Sequence, residues 1–197
     1  MHRRYPRPSG SSRAQRDAEA DPTAPGNQAD PEGAARQVVI RQLLHAPRTR
    51  AQLAATLTGR GYTEATVEQV LDRFSELRLI DDEEFAHAWV ESRHAGRGLA
   101  RRMLAYELRA RGVAEDTVDA AVAKLSPDQE EETARALVRR RLHATVGQDT
   151  QARIRRVVGA LARKGYPAAL AFRLVREELA EDIAPGEPLA EVDDWDD

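Results

Sequence analysis

Leu57-Thr58-Gly59-Arg60-Gly61, Leu108-Arg109-Ala110-Arg111-Gly112 and Leu161-Ala162-Arg163-Lys164-Gly165 are three versions of one pattern. In each, a leucine is followed four residues later by a glycine, and a basic residue stands just before that glycine. The glycines lie 51 and 53 residues apart. Leu53, Leu104 and Val157 precede the leucines by four; Val67, Val118 and Ala171 follow the glycines by six. Glycine just past a helix is the residue best suited to the left-handed conformation that ends it. A helix–glycine–helix unit repeated three times predicts an extended stack with a long lateral surface, and points to binding something long more than to a catalytic pocket.

Working outward, the body reads as nine helices in three sets of three. Thr49 with Gln52 forms a capping box, and the helix it starts ends near Gly61. Asp81 and Glu84 open the second set, with Asp82 and Glu83 in the first turn, where the helix dipole favours acids. Ser126-Pro127-Asp128-Gln129 opens the third, with a serine cap, proline at the first helical position and glutamine at the third. Expected apolar stripes are Val39, Ile40, Leu43 and Leu44; Val67, Val70, Leu71, Phe74 and Leu77; Phe85 and Trp89; Ile154, Val157, Val158 and Leu161; and Leu170, Leu174, Val175 and Leu179. Nothing in the body reads as a strand. The expected fold is all-α: three tandem three-helix repeats at 34–80, 81–125 and 126–180, in an elongated, curved stack of either hand.

The segments outside this body have different compositions. Residues 1–33 hold five of the ten prolines and are expected to be disordered, as is the acidic segment 181–197 with its lone Trp195. The net charge of −3 hides an asymmetry: residues 177–197 carry ten acids and no Lys or Arg, whereas 34–176 carries 25 basic and 18 acidic residues. A basic body with an acidic tail fits a polyanion binder. The tail composition suits DNA mimicry or screening of the basic surface. Arginine outnumbers lysine 28 to 2, which codon bias in a GC-rich genome accounts for without any functional cause.

Catalytic constellations are missing. The absence of cysteine excludes disulfides and thiolate zinc sites. His2, His45, His87, His94 and His143 do not stand at metal-ligand spacings, Gly96-Arg97-Gly98 is too short for a nucleotide-binding loop, and Ser92 and His94 lack a third partner. Asp81, Asp82, Glu83 and Glu84 are accounted for by a helix start. No enzyme activity, cofactor or metal is expected. No apolar run reaches membrane-spanning length, and no apolar stretch follows Arg3-Arg4, so the expected location is the cytoplasm. Arg60, Arg111 and Lys164 read as last-turn partners of the helix dipole. The clustered arginines are the binding candidates: Arg93, Arg97, Arg101 and Arg102 around one joint, and Arg139, Arg140, Arg141, Arg153, Arg155 and Arg156 around the other. Gly96 and Gly98 are expected to make the first joint flexible and to interrupt its helix.

The run Leu79-Ile80-Asp81-Asp82-Glu83-Glu84-Phe85-Ala86-His87-Ala88-Trp89 resembles the RecX regulatory protein family. The likeness continues through Arg93, Gly96-Arg97-Gly98, Arg101, Leu104, Leu108 and Gly112, and again through Leu161 to Tyr166. It covers roughly residues 34–180 and neither tail. It implies tandem three-helix units that bind the RecA recombinase, particularly its filament on single-stranded DNA. It further implies suppression of ATP hydrolysis, filament growth and strand exchange in recombination and DNA repair. A repeat array of this size is expected to be a monomer. The alternative is a helical-repeat protein acting directly on nucleic acid. A sequence-reading transcription factor fits poorly, because the helices after each glycine, 63–77, 115–125 and 167–180, are mostly apolar or acidic.

Overall fold

The computed structural model describes residues 30–182, with side chains through Glu181. Arg3, Arg4, Trp195 and most of both expected tails lie outside them. The described residues form nine helices and no strand. They are α1 (Pro31–His45), α2 (Arg50–Gly59), α3 (Glu64–Glu76), α4 (Asp82–Arg97), α5 (Arg101–Arg109), α6 (Glu115–Ala123), α7 (Pro127–His143), α8 (Thr150–Ala162) and α9 (Ala168–Asp182). Every helix pair in substantial contact lies within one set of three. Each set accordingly has its own core: Leu53, Leu57, Val70 and Leu71 in the first; Leu104, Leu108 and Val118 in the second; Val138, Val157, Leu161 and Leu174 in the third.

The Leu-x-x-x-Gly pattern has a specific structural cause. Gly61, Gly112 and Gly165 have φ of 85°, 75° and 92°, in the left-handed region. Each leucine carbonyl accepts from the amide of the residue after the glycine: Tyr62 N to Leu57 O at 3.2 Å, Val113 N to Leu108 O at 3.3 Å, Tyr166 N to Leu161 O at 3.2 Å. The glycine amides bond Thr58 O, Arg109 O and Ala162 O, each at 2.9 Å. This is the Schellman arrangement, in which the leucine and the residue after the glycine also meet as a hydrophobic pair. Leu57, Leu108 and Leu161 are buried, and so are Tyr62, Val113 and Tyr166. The same closure ends α3 without glycine: Arg78 takes φ 53°, and Leu79 N donates to Phe74 O at 2.9 Å.

Several expectations change. Helix α1 starts before residue 34, because Asp30 caps it through Gly33 N at 2.7 Å and Pro31 fills the first helical position. The buried stripe of α1 is Ala35, Val38 and Val39 with Leu43 alongside; Ile40 and Leu44 are 39% and 79% exposed. At about 100° per residue those two lie roughly opposite Ala35 on the helix, turned away from the stripe that begins there. Leu77 is the exposed C-cap of α3, so that stripe ends at Phe74. The second set buries Ala86 and Val90, while Phe85 and Trp89 stack half-buried with ring centroids 5.7 Å apart. Gly96 does not interrupt its helix; α4 runs on to Arg97 and ends at the left-handed Gly98. At the other end, residues 181 and 182 belong to α9.

The glycine turns also dock on the preceding repeat. A Cβ on Gly112 would overlap Ala51 Cβ, and one on Gly165 would stand 2.8 Å from Met103 Cβ. Gly147, at φ 84°, has open space around it. Gly112→Ala should therefore lower the thermal midpoint more than Gly147→Ala, which meets only backbone strain of about 1–3 kcal/mol. Equal midpoints by circular dichroism would mean that the Gly112 turn is not closely docked.

Candidate binding interface

The joints between repeats are built at helix N-termini. At the first, Thr49 Oγ1 accepts from Gln52 N and donates to Arg111 O of the next repeat at 2.7 Å. Asp82, at the start of α4, accepts from Arg50 N at 2.9 Å. Burial pushes the Asp82 carboxyl above its ordinary range, against the lowering effect of that bond and of the Arg50 charge. At the second joint the N-cap is Ala100, which has no side-chain acceptor. Glu130 of α7 supplies it, accepting from Arg101 N and Arg101 Nε, both at 2.8 Å. Ala100 N donates to Lys164 O at 2.9 Å, and the Tyr166 hydroxyl donates to Gly98 O at 3.2 Å. Burial raises the Tyr166 phenol well above its usual range, helped by the Glu130 charge. His94 completes this joint, with Nδ1 2.9 Å from Leu99 O and Nε2 2.9 Å from Thr133 Oγ1.

The ten candidate arginines divide by what they touch. Arg93 lies over the Trp89 ring at 4.1 Å, where Arg111 lies at 3.6 Å, and Trp89 Nε1 donates to Glu107 at 2.9 Å. Burial lowers the Arg111 pKa and Arg93 adds to that, while Glu107 opposes it. Arg101 is held by Glu130, and Arg139 by Glu178 at 2.7 Å and Glu181 at 3.9 Å. Arg153 donates to Leu142 O, and Arg156 to Gln148. Arg97 is 57% exposed and only loosely paired, 3.7 Å from Glu107. Among the described residues, Arg102, Arg140, Arg141 and Arg155 are exposed and their side chains make no hydrogen bond or ion pair.

The fold converges four cations from three places in the chain. Lys164 Nζ donates to Arg97 O. Its pKa is lowered first by burial and then by the charges of Arg141, Arg140 and Arg97. Three arginine charges acting on one partly buried lysine mark a positive field, in which Glu107 pairs loosely with Arg97 while the Arg140 and Arg141 side chains have no partner among the described residues. By contrast, Arg135 and Arg173 are matched by Glu131, Glu177 and Glu178 on the α7–α9 face. Lys164 stands outside the ten candidates; it is not the last-turn residue expected, since it lies past Arg163, the C-cap of α8, and the docking of the third glycine turn brings it to Arg97. Tyr106, 66% exposed one turn from Arg102, carries no sequence signal that marks it as a surface residue.

Three family models match in tandem, described as the first, second and third three-helix domains of RecX, over residues 35–74, 81–122 and 128–175. The chain belongs to the RecX family. A regulatory protein RecX from Thermobifida fusca (strain YX) is 61% identical over 158 residues, 79% of this chain and 85% of that protein. One from Streptomyces coelicolor (strain ATCC BAA-471 / A3(2) / M145) is 54% identical over 153 residues, 78% and 81% of the two chains. The crystal structure of RecX from Lactobacillus salivarius has the same fold at 15% identity, with a TM-score of 0.68 over 76% of this chain and 97% of that one. The three RecX matches span the helical cores and leave the ends of the chain unmatched. Among the described residues no helix is long and apolar enough to cross a membrane, and no group of His, Asp or Glu could hold a metal ion.

The two N-terminal caps make different demands on the next repeat. Glu130→Ala should cost about 2 kcal/mol, because α5 has no other side-chain cap. Asp82→Ala should cost less, about 1 kcal/mol, because α2 keeps its own capping box. Urea unfolding of both variants, with amide exchange at the start of α5, tests the contrast; the reverse order would remove Glu130 as the cap of the second joint.

Proposed function

We propose that this protein binds the RecA recombinase filament on single-stranded DNA and restrains it, lowering ATP hydrolysis, filament growth and strand exchange without catalysing a reaction itself. The observation that carries this reading, beyond family membership, is the cluster of Arg97, Arg140, Arg141 and Lys164 at the joint between the second and third repeats, in which the Arg140 and Arg141 side chains have no partner among the described residues. A phosphate backbone or an acidic protein surface would supply the missing counter-charge. Arg102 and Arg155, at equivalent places in successive repeats, extend the unpaired cations along the array. Separate three-helix units can each make a modest contact, and tethering adds them through effective concentration. The protein acts as a cytoplasmic monomer in this reading.

The test is ATP hydrolysis by RecA on single-stranded DNA, titrated with the full chain and with a variant carrying Arg140→Ala and Arg141→Ala. Both side chains are exposed and unpaired, so folding should survive. Inhibition by the wild type, weakened about tenfold or more in the variant, is the expected result. No inhibition at several-fold excess would overturn the proposal. The salt dependence then separates partners: loss of phosphate contacts lowers the slope of log affinity against log salt by about 1 per contact. A lowered slope with free DNA and no effect of RecA would favour direct action on nucleic acid.

A further inference from the structure

A groove of about 500 Å³ lies between the end of α7 and the end of α9. Arg139, Arg140, His143, Val146 and Glu181 are in its wall, with Leu142 among them. Its residues are unevenly satisfied. Arg139 is paired with Glu178 and Glu181, whereas the Arg140 side chain has no partner among the described residues and Val146 is 70% exposed. Arg140, in the groove wall, also acts on Lys164 together with Arg141, so the groove and that cluster share a cation.

The chain itself supplies a segment of matching chemistry. Residues 183–197 contain six acids and no Lys or Arg, with Leu189, Val192 and Trp195 spaced three apart. They follow directly on α9, and Glu181, at its last turn, is already in the groove wall, 3.9 Å from Arg139. Fifteen residues reach about 50 Å when extended, so the segment can fill the groove and continue onto the cluster. Tethering gives it a local concentration of about a millimolar, enough for a weak contact to be occupied. Three acids of α9 are committed elsewhere: Glu177 and Glu178 to Arg135, Arg139 and Arg173, and Glu181 to Arg139. None of these three is paired with Arg140, whose charge is open to the acids that follow in the chain.

We propose that the groove is a binding site for residues 183–197 of the same chain, with the acids set against Arg140, Arg141 and Lys164 and an apolar side chain covering Val146. The segment then competes with an external polyanion for those cations. Only this last step rests on the proposed function; the docking stands separately.

The chain lacks cysteine, so Asp197→Cys gives one attachment point for a nitroxide on the full-length protein. At low salt the label should selectively broaden amide signals of residues 139–147. The effect should fall several-fold with Arg140→Glu and Arg141→Glu, and with a tail whose remaining acids are changed to Asn and Gln. Uniform broadening, no broadening, or broadening centred on another repeat would overturn the proposal. So would equal broadening of an isotope-labelled chain mixed with a separate spin-labelled one, which would assign the contact to a second copy. RecA inhibition by the acid-neutralised variant is measured alongside. Docking without inhibition would remove the filament reading alone, and inhibition without docking would remove this proposal alone.

Discussion

A helix must find acceptors for its first amides, and in this protein α2 and α5 find them in the next repeat. Asp82 serves Arg50 N, and Glu130 serves Arg101 N. The glycine turns act at the same places from the other side, setting Arg111 O on Thr49 and Lys164 O on Ala100 N. A side chain on either glycine would prevent that approach. The left-handed residue thus ends one helix and lets its turn seat on the start of another. The helices of each repeat pack on one another, while the repeats meet mainly through these polar points.

This division places charge as well as backbone. The joint that needs Lys164 O to reach Ala100 also brings Lys164 beside Arg97, and α7, which carries Glu130, brings Arg140 and Arg141 to the same side. Charges that are distant in sequence meet because a capping bond requires their backbones to meet. Elsewhere the protein uses acids to neutralise arginines, as Glu131, Glu177 and Glu178 do for Arg135 and Arg173. Hydrogen bonds from Arg135 and Arg173 hold the Glu177 carboxyl below its ordinary pKa, so this face stays paired near neutral pH.

Most of the fold was legible because its signals are local. Thr49 with Gln52 and Ser126 with Gln129 form the capping boxes that their spacing announces, and the three leucine–glycine pairs form the closures expected of them. Local reasoning failed where two faces compete. Ile40 and Leu44 are apolar enough to belong to a core, but the angular position of Ala35 and Val38 decides which side of α1 is buried. The arginine clusters were legible as clusters, not as a site. Arg101 and Arg102 are adjacent, yet one is held by Glu130 and the other is free, a distinction set by an acid 29 residues away from Arg101. Lys164 was legible only as a helix-end cation, since its neighbours come from other parts of the chain.

A head-to-tail joint has no intrinsic stopping point, because the donor surface of one unit and the acceptor surface of another can belong to separate molecules and grow into a fibre. At the two outer repeats, side chains at helix starts are engaged within the repeat. In the third, Asp149 accepts from Ala152 N at the start of α8, where no following repeat exists among the described residues. In the first, Glu32 at the start of α1 is taken by Arg36 and Gln69 of its own repeat. A helix start capped from within its own repeat leaves fewer free amides for an outside acceptor to take up.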